Sequence, residues 1–341
     1  MNLKRTTLSR LNVNKFKKFN KITNKSLFLS YDWLSFLGEL YNKDPKISYY
    51  FNKKKQIEFF LPFITKFTRT STKSVSLPLC VVPLSSFHNL EKFISALRNK
   101  TDEVYFHSSN LIEGTAIVDN FYLSTLDMSK YSNSENLFKS LNKSNIQRKV
   151  LKAMKQNFTL IVDGNKKLFE EFENLQSKTR HRQGSPDYPK NFFKNLSKFL
   201  KNKVKIFGVK ENDKLIAATV FFWDKNSNRA IYAYGANDEK YLTKNRGANQ
   251  LAMWLGIEYA KKNNLRYLDF GKTPLSNKSL LTYKERWGAK TENCFMLVHP
   301  KKATKLDVKR DSYFFLIFSK LMRILPFNIY KFISETIFKY L

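Results

Sequence analysis

The chain has 341 residues, 42% hydrophobic and 15% aromatic, enough for one large domain or two ordinary ones and too apolar for bulk disorder. Lysine and arginine total 61 against 28 acidic residues, a formal charge of +33 that points to a polyanionic partner: nucleic acid, an anionic membrane surface or a phosphorylated substrate. Two distant cysteines, Cys80 and Cys294, form neither a disulfide framework nor a zinc spacing, and His88, His107, His181 and His299 stand alone, so no metal is expected and a reduced cytosolic setting fits. The abundance of Lys, Asn, Phe and Ile also matches an AT-rich genome, which accounts for part of the charge.

Residues 1–25 form a basic N-terminal segment without an apolar stretch, neither signal peptide nor anchor. The next unit, 26–133, reads as strands at "KISYYFN", "QIEFFLPFITKF", "KSVSLPL", "EVYFHS" and "GTAIVDNFYLSTLD", with a helix at "HNLEKFISALRNK". A basic connecting helix is predicted over 134–156, studded with Lys139, Lys143, Arg148, Lys149, Lys152 and Lys155. The unit at 157–300 is clearer, in the order α-α-β-β-β-α-β-α-β, with the basic loop "RHRQGSPDYP" between its first two helices. The class is α/β (α+β): two versions of one αβ unit, the first degraded, each a mixed sheet flanked by helices.

The second unit carries the sequence "LTKNRGANQLAMW", a glycine-centred basic turn leading into a helix. A helix N-terminus leaves N–H groups unpaired and carries partial positive charge. Gly247 would let the backbone approach an oxygen, and Lys244 and Arg246 would add charge, so the turn reads as an anion site formed with Ala248 and Asn249. It is neither a Walker loop nor G-x-G-x-x-G, and the competing reading is an ordinary basic strand-to-helix turn. The first unit has only "CVVPLSSF" at the matching place.

That turn, after a three-strand meander and before a long helix, resembles the GNAT superfamily, where [RQ]-x-x-G-x-[GA] holds the pyrophosphate of an acyl-CoA. Lys244 stands where that pattern has Arg or Gln, and Asn249 where it has a small residue. The segments "NIQRKVLKAMKQNF", "KTRHRQGSPDYPKNFF", "IYAYGANDEKYLTKNRGANQLAMW" and "YLDFGKTPLSNKSLLTYKERWGA" are similar to the FemAB-like acyltransferases, double-GNAT proteins of the bacterial cell envelope. The resemblance covers about 134–292 well and the first unit in outline. It implies transfer of an acyl group from acyl-CoA (acetyl-CoA) or aminoacyl-tRNA to an amine or hydroxyl of an envelope glycan or lipid-linked precursor. Lys284 matches a lysine of the family's F-K-x-x-[FW]-G segment, tied to the donor or to developing charge, with Tyr283 in place of the phenylalanine. The other reading of Lys284 is a solvent-exposed lysine.

Three further groups complete the expected site. Asp269, in "LDFG" with Gly271, either accepts or orients the proton of an attacking amine or caps the following loop. Arg148, Arg180 and Arg182 either hold a phosphate or carboxylate of the acceptor or are solvated charges. Backbone N–H groups near Tyr234 and Gly235 are candidates for the oxyanion. No Ser-His-Asp or Cys-His arrangement suggests a covalent intermediate. The competing functions are a basic nucleic-acid binder, for which no RRM, KH, helix-turn-helix or zinc-finger signature appears, and an inactive GNAT-fold partner subunit.

The tail, 301–341, is amphipathic and divided by Pro326. Ile329, Phe332, Ile333, Thr336, Ile337 and Tyr340 share one face, which either lies in an anionic membrane interface or packs on the protein's own core. No stretch is apolar enough to span a bilayer, so the expected location is the cytoplasm, peripheral at the inner face of the membrane.

Overall fold

The structure, a computed structural model, describes residues 3–11, 26–51, 57–67, 72–76, 103–243, 246–299 and 313–340. The chain divides into two compact units: Met1–Leu123 with Lys272–Leu275 and Thr291–Leu306, and Ser124–Gly271 with Ser276–Lys290 and Asp307–Leu341. The helix expected at "HNLEKFISALRNK", Cys80, His88 and Lys244 lie outside the described residues.

In the first unit, β1 (Leu3–Thr7), β2 (Lys46–Phe51), β3 (Ile57–Phe67) and β4 (Thr72–Ser76) pair antiparallel in sequence order, and β5 (Glu103–Ser108) joins β4 in parallel. Two of its elements escaped the sequence reading, β1 and helix α1 (Tyr31–Tyr41). The Ser30 hydroxyl caps α1 by accepting from the Trp33 amide at 3.2 Å, and Trp33, Leu34, Phe36 and Leu37 form its buried face. The last strand, β12 (Lys290–His299), was expected to close the second unit. Its register instead runs antiparallel to β5, from Phe295↔Ser108 to His299↔Val104. Hydropathy marks a strand without naming its neighbour, and β5 is buried along its whole length, so it draws a partner on each side.

The second unit starts within β6 (Ala116–Asp127). The single helix expected over 134–156 is broken into α2 (Ser134–Ser140), a π turn (Lys143–Gln147) and α3 (Arg148–Met154). Leu141 turns extended, and the Asn142 side chain accepts from the Asn145 amide at 2.9 Å, which starts a fresh helix. Next come β7 (Thr159–Asp163), α4 (Lys166–Gln183), α5 (Phe192–Leu200), β8 (Val204–Glu211), β9 (Lys214–Asp224), β10 (Arg229–Asn237), α6 (Glu239–Thr243), α7 (Ala248–Lys262), β11 (Tyr267–Pro274) and α8 (Lys278–Arg286). β7 to β10 pair antiparallel in sequence order.

β9, "KLIAATVFFWD", is buried from Leu215 to Asp224 because helices cover both its faces: α7 lies on β8 and β9, and α4 on β9 and β10. Phe207, Phe221, Leu251, Ile257 and Leu268 are fully buried in this core, each contributing about 1.5–3 kcal/mol of apolar burial. α4 begins at Asn165, whose side chain accepts from the Leu168 amide at 2.8 Å. It ends at Gly184 in the left-handed region, with Arg180, His181 and Arg182 in its last turn, where cations suit the helix dipole. The tail forms α9 (Tyr313–Ile324) and α10 (Phe327–Tyr340), packed on the C-terminal end of α4.

Candidate active site

β10 and β11 define the first feature. They pair in parallel over only three positions, Arg229↔Tyr267, Ala230↔Leu268 and Ile231↔Asp269, whereas β10 pairs with β9 along its full length. A bulge between Tyr232 and Tyr234 turns β10 just where its register with β11 ends. A wedge therefore opens between two strands whose near ends are fixed. Tyr234 and Gly235 follow the bulge. The Tyr234 ring packs edge-on against Tyr188 (5.4 Å) and Phe193 (5.2 Å), so its side chain anchors the α4–α5 loop to β10.

Gly235 is bare because the Tyr232 hydroxyl occupies the place of a Cβ. Tyr232 is partly buried, and desolvation of its hydroxyl pushes the phenol above the ordinary range, with the nearby Tyr283 hydroxyl adding to the rise. Gly235→Ala is expected to destabilise by about 1–3 kcal/mol by overpacking. In a Tyr232→Phe background the same change is expected to cost clearly less. Denaturant unfolding of the four-member cycle measures the difference, and additive effects would mean that the two residues do not compete for space.

The glycine turn is the second feature. Gly247 caps α7 at φ 79° with no side-chain cap, leaving the first-turn amides of Ala248 and Asn249 without one. A small cavity of about 100 Å³ lies here, lined by Gly247, Ala248, Asn249, Gln250, Asn237 and Lys149 among others. Uncapped amides beside a lysine suit one phosphate-sized anion. The Asp238 carboxylate also lines the cavity, but it is paired with Lys214 at 2.6 Å.

Two residues of the turn serve differently from the expectation. Arg246 donates to Glu211 Oε1 at 2.5 Å and twice to Gln156 Oε1 at 2.9 and 3.2 Å, with its guanidinium over the Phe158 ring. It ties the turn to the chain after α3 and to the end of β8 in place of reaching for a ligand, because a half-buried guanidinium takes the nearest carboxylate. Gly247 lacks a Cβ to admit the Lys149 carbonyl of α3, so its bare side faces a helix.

The three arginines separate. Arg180 donates to the Pro186 carbonyl at 2.5 Å and lies 4.4 Å over the Tyr188 ring, where it shapes the α4–α5 loop. Arg182 donates to Asn237 Oδ1 at 2.6 Å, next to the cavity at the turn. Arg148 is exposed at the start of α3. Positions two apart on a helix point to different sides, which is why Arg180 and Arg182 take different partners.

The third feature is the end of β11 with α8. Asn277 caps α8 by accepting from the Leu280 amide at 3.1 Å. This orientation turns Tyr283, Lys284 and Trp287 inward. Lys284 is only 2% exposed and donates to the Gly271 carbonyl at 2.8 Å. Lysine is among the residues least often buried, so the solvent-lysine reading fails. Burial lowers its pKa from 10.5 to about 8, and the Asp269 carboxylate opposes that shift. Asp269 Oδ1 accepts from the Gly271 amide at 2.7 Å, and Oδ2 lies 3.5 Å from Arg229. Both oxygens thus face donors, and the carboxylate does cap the turn. Burial pushes the Tyr283 phenol up to about 12, so it stays protonated at neutral pH.

Asp269→Asn keeps an acceptor for the Gly271 amide and removes the charge that holds the ammonium. Its expected effect is a fall of the Lys284 pKa below about 8. A pH–rate profile checks this: the limb assigned to Lys284 moves to lower pH in the variant.

Arg229, Lys149 and Asn237 were missed by the sequence reading. Arg229 opens an ordinary strand, Asn237 ends one, and Lys149 is one cation among six on a basic stretch, so only folding shows what each faces. Among the described residues no group of His, Cys, Asp or Glu could hold a metal ion.

The glycine turn follows a three-strand meander and opens a long helix, the arrangement on which the GNAT resemblance rests. Residues 143–285 match the family model described as an acetyltransferase (GNAT) domain. The fold is similar to that of FemX, at TM-score 0.64 and 13% identity over 86% of this chain and 97% of that one. It is also similar to L-PGS from Bacillus licheniformis, at TM-score 0.55 and 12% identity over 92% of this chain and 96% of that one. A third likeness is the C-terminal domain of a putative lysylphosphatidylglycerol synthetase from Agrobacterium fabrum, at TM-score 0.52 and 10% identity over 80% and 88% of the two chains. No curated protein matches the sequence.

Proposed function

We propose that this protein moves an acyl group, acetyl or aminoacyl, from a phosphate-bearing donor to an amine or hydroxyl of a cell-envelope glycan or lipid-linked precursor. The observation that carries the reading is Lys284, a buried cation with a lowered pKa placed on the Gly271 carbonyl at the end of β11. Burying a lysine costs stability, and such groups concentrate where chemistry uses them. The envelope setting is supported by the shared fold with FemX and the L-PGS proteins.

The donor supplies an activated acyl carbonyl, a thioester in acyl-CoA or an ester in aminoacyl-tRNA. In either case, Ala248 and Asn249 N–H groups with Lys149 hold a phosphate of the donor, and the acyl arm runs into the β10–β11 wedge. The acceptor nitrogen or oxygen forms a bond to the acyl carbon, and the bond to the leaving sulfur or ribose oxygen breaks. The acceptor's proton ends on that leaving atom. The Lys284 ammonium stabilises the negative charge that develops on the acyl oxygen. Asp269, whose oxygens already accept from Gly271 and face Arg229, serves as a positioning residue that keeps Lys284 charged.

The test is mass-spectrometric detection of transfer. Acetyl-CoA and charged tRNA are each offered with envelope precursors as acceptors, and Lys284→Met serves as the control. The expected result is a mass increment on the acceptor with one donor, lost in the variant. If neither donor transfers and neither raises the melting temperature, the transferase reading fails.

A further inference from the structure

The tail combines two surfaces. Its inner side is fastened to the end of α4 and the loop that follows. His181 Nε2 bonds with the Leu325 carbonyl at 2.9 Å, the Tyr330 hydroxyl donates to the Ser185 carbonyl at 2.9 Å, and Arg323 reaches the Gln183 carbonyl at 3.4 Å. Met322, Tyr330 and Ser334 are fully buried. The core-packing reading therefore holds for this side. Its outer side is apolar. On α9, Leu316, Ile317, Leu321 and Ile324 are exposed and fall on one arc opposite Met322. On α10, Ile329 and Phe332 are exposed, whereas Ile333 and Ile337 of the expected stripe are half-buried. Ile324 and Phe332 keep 77% and 72% of their surface in solvent, the highest values among the described large apolar residues.

We propose that the outer face of α9 and α10 lies in the interface of an anionic lipid bilayer. Charge decides between the possible occupants. Lys320 is exposed within the apolar arc and Arg323 at its edge, long cations whose heads can reach the headgroups while their stems lie along apolar surface, and α9 contains no acidic residue. A second copy of a chain carrying +33 would be repelled at such a face, whereas acidic lipid headgroups are attracted to it. The mode is lying on, not crossing. Pro326 separates helices of 12 and 14 residues, and no helix among the described residues is long and apolar enough to cross a membrane.

The position of this face also bears on the acceptor. The tail clasps Gln183 and Ser185, and three residues further on Tyr188 packs against Tyr234 of β10. The bilayer face and the transfer wedge thus belong to one packed unit, which suits an acceptor borne by a lipid. That last step rests on the transferase reading, and the docking itself does not.

The experiment is co-sedimentation of the full chain with vesicles of mixed phosphatidylglycerol and phosphatidylcholine, and with phosphatidylcholine alone. Binding to the anionic vesicles is expected. Ile324→Ser with Phe332→Ser leaves the charge unchanged and is expected to weaken partitioning by at least about tenfold. An unchanged melting temperature would show that the fold is kept. Equal pelleting of the double variant overturns the proposal, as does a solution dimer that the two serines dissociate. With lipid-linked acceptor in vesicles, the double variant is expected to lose transfer while keeping it toward a water-soluble acceptor analogue; equal activity on both overturns the link to a lipid-borne acceptor. Vesicle binding needs neither donor nor acceptor, so its failure leaves the transferase reading standing. A vesicle-bound protein that transfers nothing overturns the transferase reading alone.

Discussion

Lys284→Met is expected to lower kcat/KM for acyl transfer by about 10²–10³-fold, the usual cost of removing one preorganised charge from a developing oxyanion. Methionine fills nearly the same volume, so the packing of α8 against Tyr283 and Trp287 is kept and the loss reads as chemistry. The pH dependence separates charge from bulk. In the proposed mechanism Lys284 is an ammonium, and burial lowers its pKa to about 8, so the wild-type rate should fall as pH rises through about 8 and the residual activity of the variant should lack that limb. An acceptor amine titrates in the opposite direction, gaining nucleophilicity as pH rises. A hydroxyl acceptor removes that overlap.

The same lysine leaves a mark on stability with a sign opposite to that of most lysines. Its folded pKa, about 8, lies below the unfolded 10.5, so between these values the unfolded chain binds more protons than the folded one. Stability therefore rises with pH across that window, by roughly 3 kcal/mol at most. Below about pH 8 the folded state bears the full cost of a buried charge. Wild type minus Lys284→Met, followed by denaturant unfolding from pH 7 to 11, should show this rise; a flat difference would mean that Lys284 is not desolvated.

The sequence carried the second unit well and the first poorly, for reasons that differ by element. β8, β9 and β10 are bounded by turn residues and rich in Val, Ile, Phe and Tyr, so their existence and order were plain. β7 escaped because Leu160 and Val162 are exposed on a strand that, among the described residues, pairs with β8 alone, where an apolar pattern has no core to explain. β12 was read as a strand but assigned to the wrong unit, since pairing is a long-range choice that local hydropathy does not contain. In the candidate site, Lys284 was singled out through the "YKERWG" segment, yet its burial was invisible: "KSLLTYKER" offers two leucines as better candidates for an inward face. What turns the lysine inward is the Asn277 cap, which sets the phase of the helix, together with Trp287 one turn later. The arginines failed in the other direction. Cations in a basic loop look like ligand contacts, but Arg180 and Arg246 are consumed by nearby backbone and carboxylate oxygens.

Gly247→Ala is the second change with a large expected effect, and here the physics is steric twice over. At φ 79° a residue with a Cβ is in the left-handed region, at a cost of about 1–2 kcal/mol. The new methyl would also run into the Lys149 carbonyl and lie 3.3 Å from Ala153 Cβ, adding an overpacking cost of about 1–3 kcal/mol. Together these approach about 2–5 kcal/mol, a large share of the stability of an ordinary domain. The strain does not stay local. Relieving it means moving α3 away from α7, and α3 carries Lys149, which lines the cavity at the turn. Donor affinity should fall with stability, whereas Arg246→Met, which loosens the turn without adding a Cβ, should lower stability and leave donor affinity largely intact. Thermal unfolding with and without donor distinguishes the two variants. If Gly247→Ala keeps full stability and full donor affinity, the close contact between α3 and the turn is not what the glycine is for.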